Sequence, residues 1–122
     1  MARVLVVDDE KDLRAAIRRQ LEGANHTVVE AADGNAAVQV FRMLPVDLVI
    51  TDILMPGKEG IETIIELRQE RPDVPIIAMS GGGRTHTRQY LELAQRLGVK
   101  GILKKPFRRS ELLAAVAAAL TQ

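Results

Sequence analysis

Three acids sit side by side, Asp8-Asp9-Glu10, where the short apolar run Val4 to Val7 stops. A further acid, Asp52, closes the run Asp47-Leu48-Val49-Ile50-Thr51. Ser80 follows a third run, Val74 to Met79, and Lys104-Lys105 follows a fourth, Val99 to Leu103. Carboxylates gathered in one place repel one another, and a hard divalent cation relieves that repulsion. Mg²⁺ takes oxygen ligands, keeps some of its waters and bridges carboxylates to phosphoryl groups. An Asp carboxylate is also a nucleophile toward phosphorus, giving an aspartyl phosphate. Phosphoryl transfer calls for charge neutralisation more than covalent help, and a Lys ammonium with a small hydroxyl supplies it. Each residue alone has a plainer reading, because an Asp after a strand also caps helices and forms turns. Together they describe a phospho-accepting site.

Such a site needs a frame that brings the ends of separate runs together, and two hydrophobic periods alternate along the chain to build one. Arg3 to Val7 is a short β-branched run that reads as a buried strand, and Thr27 to Ala31, Asp47 to Thr51, Val74 to Met79 and Val99 to Leu103 read as four further strands. Between them, apolar residues recur at helical spacing. The stripes are Leu13, Ile17 and Leu21; Ala36, Ala37, Val40, Phe41 and Leu44; Ile61, Ile64, Ile65 and Leu67; Tyr90, Leu91, Leu93, Ala94 and Leu97; and Leu113, Val116, Ala117 and Leu120. Gly23 with Asn25, Pro45 and Gly98 stop the first, second and fourth helices, and Ser110 is the expected N-cap of the last. Strict alternation of strand and helix predicts an α/β fold, a five-stranded parallel sheet with helices on both faces. Functional groups of such sheets collect at the carboxyl ends of the strands, where the acids, Ser80 and the lysines fall.

Composition narrows the classes. The 122 residues are 47% apolar and 27% charged with a net charge of +1, the profile of one globular domain, 1–122. The absence of cysteine excludes disulfides, thiolate zinc sites and cysteine nucleophiles. No apolar run approaches a membrane span and the N-terminus is not signal-like, so a cytoplasmic location is expected. Phe41, Tyr90 and Phe107 are the only aromatics, too few for stacking on bases. Charge is uneven: residues 1–61 carry 7 basic and 10 acidic side chains, and residues 62–122 carry 10 and 6.

With these residues in this order, the chain resembles the receiver domain of two-component response regulators over Arg3 to about Leu120. The likeness rests on Asp8-Asp9, on Asp52-Ile53-Leu54-Met55-Pro56 with Gly60 beyond, on Ser80, and on Lys105-Pro106-Phe107. It implies a flavodoxin-like sheet of order 2-1-3-4-5. It makes Asp52 the phosphoacceptor, charged by a histidine kinase or a histidine phosphotransfer protein. Asp8, Asp9, Asp52 and the backbone carbonyl of Leu54 become the ligands of Mg²⁺, or of Mn²⁺ in its place. Ser80 and Lys105 become the phosphate-contacting pair, supported by Gly81 and a cis Pro106, with Lys104 the alternative lysine. The protein would promote only its own phosphorylation and dephosphorylation. Met1 points to a natural start, and a stand-alone single-domain regulator fits the likeness as an excised domain does.

Three departures bear on output. Ile102 stands where such domains often carry an aromatic switch, Gly81-Gly82-Gly83 is unusually glycine-rich, and Lys58 occupies a commonly hydrophobic position. The signal is therefore expected to travel by ordering of the glycine loop and a shift of the fourth helix. Arg84, Arg88, Lys104, Arg108 and Arg109 gather toward the fourth helix, fifth strand and fifth helix, the expected face for an output partner. No element for reading DNA grooves is present, so direct nucleic-acid binding is not expected. The alternative is a small flavodoxin-like phosphate- or nucleotide-binding protein, or a phosphohydrolase, using Gly81-Gly82-Gly83. That run lacks a full phosphate-loop pattern, and an aspartyl phosphatase usually has an acid where Leu54 stands.

Overall fold

The computed structural model describes residues 1–53, 60–81 and 87–121. In chain order the elements are β1 (Arg3–Val7), α1 (Lys11–Gly23), β2 (Thr27–Ala31), α2 (Gly34–Met43), β3 (Leu48–Asp52), α3 (Gly60–Glu70), β4 (Ile76–Gly81), α4 (Thr87–Arg96), β5 (Gly101–Lys105) and α5 (Arg109–Leu120). The strands form one parallel sheet in the order β2-β1-β3-β4-β5. The strands are apolar on both faces because both faces are covered, and successive side chains alternate between the covers. Val4, Val6, Leu48, Ile50, Ile77 and Met79 pack against Ile17 and Leu21 of α1 and Leu112 and Val116 of α5. Leu5, Val7, Val49 and Ala78 pack on the opposite side with Ala37 and Val38 of α2 and Ile61, Ile64 and Leu67 of α3. From β1 the chain crosses outward to β2 and then back to β3. The connections after β1 and β3 thus leave in opposite directions and open a crevice at the strand ends.

Local signals fix the helix ends. Asn25 has φ 71° and Gly98 φ 80°, the left-handed turns that stop α1 and α4. Asp33 caps α2, its Oδ1 accepting from the Ala36 N–H at 2.8 Å.

Several expectations need correction. β5 runs to Lys105 and β4 to Gly81, each starting two residues later than its hydropathy indicates. The cap of α5 is Arg108, whose N–H donates to the Glu111 carboxylate at 2.8 Å, so Ser110 lies inside the helix. Leu112 and Ala119 complete the buried face of α5 in place of Ala117. That helix is apolar nearly all round, so its period could not choose a face. Ile65 and Leu93 are 40% and 42% exposed, because Ile61, Ile64 and Leu67 of α3 and Ala94 of α4 take the inward positions. Leu54, Met55, Pro56, Lys58, Gly82, Gly83 and Arg84 lie outside the described residues.

Candidate functional site

Asp8 follows β1 and is fully buried, with each of its polar atoms engaged. Its N–H donates to the Ala31 carbonyl at 3.2 Å. Its Oδ1 accepts from the Glu10 N–H at 2.8 Å, the turn-forming role of an Asp at a strand end. Its Oδ2 accepts from Lys105 Nζ at 2.7 Å, and its carbonyl accepts from Arg14 Nη1 at 2.6 Å. Asp52, the last residue of β3, is 6% exposed, and its Oδ2 accepts from the same Lys105 Nζ at 3.0 Å. Asp9 is exposed. Carboxylate oxygens of Asp8, Asp9 and Asp52 lie within 4.8 Å of one another.

The strand register delivers these groups. Asp52 pairs with Met79 on β4, so the buried Ser80 comes one residue beyond it, and Ser80 and Gly81 pair with Lys104 and Lys105. On β5, Leu103 joins the α1–α5 core and Lys105 shares its parity, whereas Lys104 is exposed. Ile102, of the other parity, packs against the opposite core. The Lys105–Pro106 bond is cis.

Lys105 is the one cation shared by two buried acids among the described residues. Burial lowers its pKa, but the hydrogen bonds to Asp8 and Asp52 and their negative charges outweigh that, and the net shift is above the ordinary 10.5. A raised folded-state pKa contributes stability that is complete below the unfolded value and is lost as pH rises through the folded one. This contribution should therefore hold through neutral pH and fade in alkali above about pH 10.4. Urea unfolding of the wild type and Lys105→Met, followed from pH 8 to 11, should show their stability difference shrinking only at the alkaline end. A difference that shrinks between pH 8 and 9 would contradict this coupling.

The main chain at Asp52 is held as tightly as its carboxylate. Thr51 Oγ1 donates to the Asp52 carbonyl at 3.0 Å, the Ile53 N–H donates to Met79 O at 3.1 Å, and the Gly60 N–H donates to Ile53 O at 3.2 Å. Gly60 opens α3 directly against this segment. A Cβ there would lie 2.0 Å from the Asp52 carbonyl oxygen and 2.4 Å from the Ile53 Cα. Sequence reasoning singled out neither Arg14 nor Thr51, and gave no reason for Gly60. The available clue to Arg14 was Glu30, a charge inside an apolar strand, which now proves to be its partner at 3.1 Å.

The profile of the response regulator receiver domain matches residues 4–117. The chain belongs to that family. Protein CcdB of Bacillus subtilis is 38% identical over 117 residues, covering 95% of this chain and 95% of that protein. The transcriptional regulatory protein CpxR of Escherichia coli is 34% identical over 98% of this chain, which spans only 50% of CpxR. Among solved structures, the Vibrio cholerae chemotaxis protein CheY4 superposes with a TM-score of 0.88 at 29% identity, covering 98% of this chain and 99% of CheY4. As a receiver domain the chain is a phospho-accepting switch of two-component signalling, a family that binds Mg²⁺ at an acidic pocket and takes its phosphate from histidine kinases. Among the described residues no helix is long and apolar enough to cross a membrane.

Proposed function

We propose that Asp52 is the phosphoacceptor of this receiver and that Asp8, Asp9 and Asp52, with the Leu54 carbonyl, hold its Mg²⁺. The observation that carries the reading is Lys105 Nζ lodged between Asp8 and Asp52, with the Asp9 carboxylate within metal-ligand reach. The donor set is all oxygen, three carboxylates and one neutral carbonyl, which suits a hard divalent cation, Mg²⁺ or Mn²⁺. Bound there, the cation would neutralise charge on the incoming phosphoryl group. An Asp52 carboxylate oxygen attacks phosphorus, and the bond from phosphorus to the donor group breaks. Asp52 offers this oxygen from a carboxylate whose Oδ2 accepts from Lys105 Nζ. Lys105 is placed to follow the negative charge from the free carboxylate to the phosphoryl oxygens, and Ser80, one residue past the register partner of Asp52, is placed to donate a hydroxyl to them. Gly81 and Pro106 support the pair at the ends of β4 and β5. Leu54 lies outside the described residues, and so does most of the glycine loop that would carry the signal toward α4.

On this reading the domain spans 1–122 and acts in the cytoplasm, promoting only its own phosphorylation and dephosphorylation. A histidine kinase or histidine phosphotransfer protein charges it. Its output partner docks on the α4–β5–α5 face, where Lys104, Arg108 and Arg109 are exposed. Incubation with acetyl phosphate and Mg²⁺ is expected to add one phosphoryl group, mapped by peptide mass spectrometry to the segment holding Asp52, and EDTA is expected to suppress it. Labelling that proceeds equally in EDTA, or maps to another peptide, would refute the assignment.

A further inference from the structure

Of the hydrogen bonds that Asp8 makes, one comes from a side chain outside the acid pocket. Arg14, in the first turns of α1, is only 13% exposed. Its Nη1 donates to the Asp8 carbonyl at 2.6 Å while its Nε donates to Glu30 Oε1 at 3.1 Å. Glu30 is gripped from the other side by Arg18 Nη1 at 2.9 Å, and Arg18 also reaches Glu22 at 3.1 Å. The Arg18 hydrogen bond foremost, and that of Arg14 with it, hold the Glu30 carboxyl below its ordinary range despite partial burial, so it stays an anion. Arg14 therefore cannot swing away from the Asp8 carbonyl without giving up a charged partner. That carbonyl belongs to the Asp8–Asp9 peptide, a planar unit whose orientation sets where the Asp9 Cα, and hence its carboxylate, is carried.

We propose that Arg14 is a positioning residue for the cation: braced by Glu30 on the edge strand, its guanidinium fixes the Asp8–Asp9 peptide and so the mutual placement of the two carboxylates. The inference rests on the Mg²⁺ site proposed above. Two effects of removing Arg14 have opposite signs. Deleting a positive charge beside an acidic pocket would by itself tighten Mg²⁺ binding. Freeing the peptide would loosen it, since partners that orient metal ligands are typically worth about 10-fold or more in affinity. The direct bond to the carbonyl makes the second effect the larger, so the sign of the change separates positioning from bulk electrostatics.

Calorimetric Mg²⁺ titration of the full chain tests this, with circular dichroism confirming that each variant is folded. Arg14→Ala is expected to weaken Mg²⁺ about 10-fold. Arg14→Lys keeps the charge and the long stem but cannot serve the carbonyl and Glu30 together, so it should weaken binding about threefold. Arg18→Ala breaks the bonds to Glu30 and Glu22 without touching Asp8, and should stay within about twofold of wild type. Wild-type or tighter binding by a folded Arg14 variant would overturn the proposal, as would a loss in Arg18→Ala equal to that in Arg14→Ala. A wild-type chain that binds no Mg²⁺ would instead defeat the metal site itself.

Discussion

Asp52→Asn is expected to leave no phosphoryl adduct after incubation with acetyl phosphate and Mg²⁺, under conditions that label the wild type. An amide is not a competent nucleophile toward phosphorus at neutral pH, and the substitution changes almost nothing else. The side chain keeps its volume and an oxygen that can still accept from Lys105 Nζ, now 3.0 Å from Asp52 Oδ2. Lys105 retains its shorter bond to Asp8 at 2.7 Å, so no buried charge is stranded. Two changes in stability oppose each other: a charge-assisted hydrogen bond weakens, and repulsion among the carboxylates of Asp8, Asp9 and position 52 falls. The net should stay within about 1 kcal/mol. Intact-mass spectrometry paired with urea unfolding thus separates lost chemistry from lost fold. An adduct of undiminished yield in the folded variant would move the acceptor elsewhere, to Asp8 or Asp9 first.

Gly60→Ala should produce the second large effect, for a reason that is steric and not chemical. The added methyl would lie 2.0 Å from the Asp52 carbonyl oxygen and 2.8 Å from its carbonyl carbon. The obstructing atoms are main chain, and they cannot rotate aside as a flexible side-chain tip would. Either α3 backs away from the sheet, loosening Ile61 and Ile64 in the core, or the end of β3 moves and takes the Asp52 carboxylate from Lys105. Overpacking of this kind costs about 3 kcal/mol, which for a domain of this size lowers Tm by about 10 °C. Phosphorylation should slow as well, since the substitution strikes the residue that carries the proposed nucleophile. Thermal unfolding and labelling rate together check this. A variant with wild-type Tm and wild-type labelling would show that the close approach of α3 to Asp52 is not needed.

Much of this could be read from the sequence, because the relevant signals are local. A parallel strand buried on both faces is written as a short, mostly apolar run, and a polar residue directly follows four of the five runs. Asp8, Asp52 and Ser80 were legible as strand-end groups for that reason, and the sheet order followed from the likeness to receivers. Glu30 shows where local reading stops. A glutamate inside Thr27–Ala31 is an anomaly for a buried strand, but its partners Arg14 and Arg18 are 16 and 12 residues away, on a helix whose rotation about its axis no strand pattern specifies.

By itself, then, the sequence determined the alternating α/β architecture, the strand ends that carry acids, hydroxyl and lysines, and the class of chemistry those residue types support together. The likeness to receivers favoured Lys105 over Lys104, and the tertiary structure gives the physical reason that the two differ. Hydropathy places the end of the fifth strand at Leu103, whereas pairing with β4 carries it to Lys105, and side chains alternate sides along a strand, so adjacent lysines have opposite fates. Packing likewise chose the buried face of α5, which an apolar, alanine-rich helix leaves open. It also brought Gly60 against the main chain of Asp52 and Arg14 onto the carbonyl of Asp8. The reason is common to all of these. Hydrophobic pattern fixes what each segment becomes, but parity, rotation and closest approach are properties of pairs of segments, and they exist only once the sheet and helices have closed on one another.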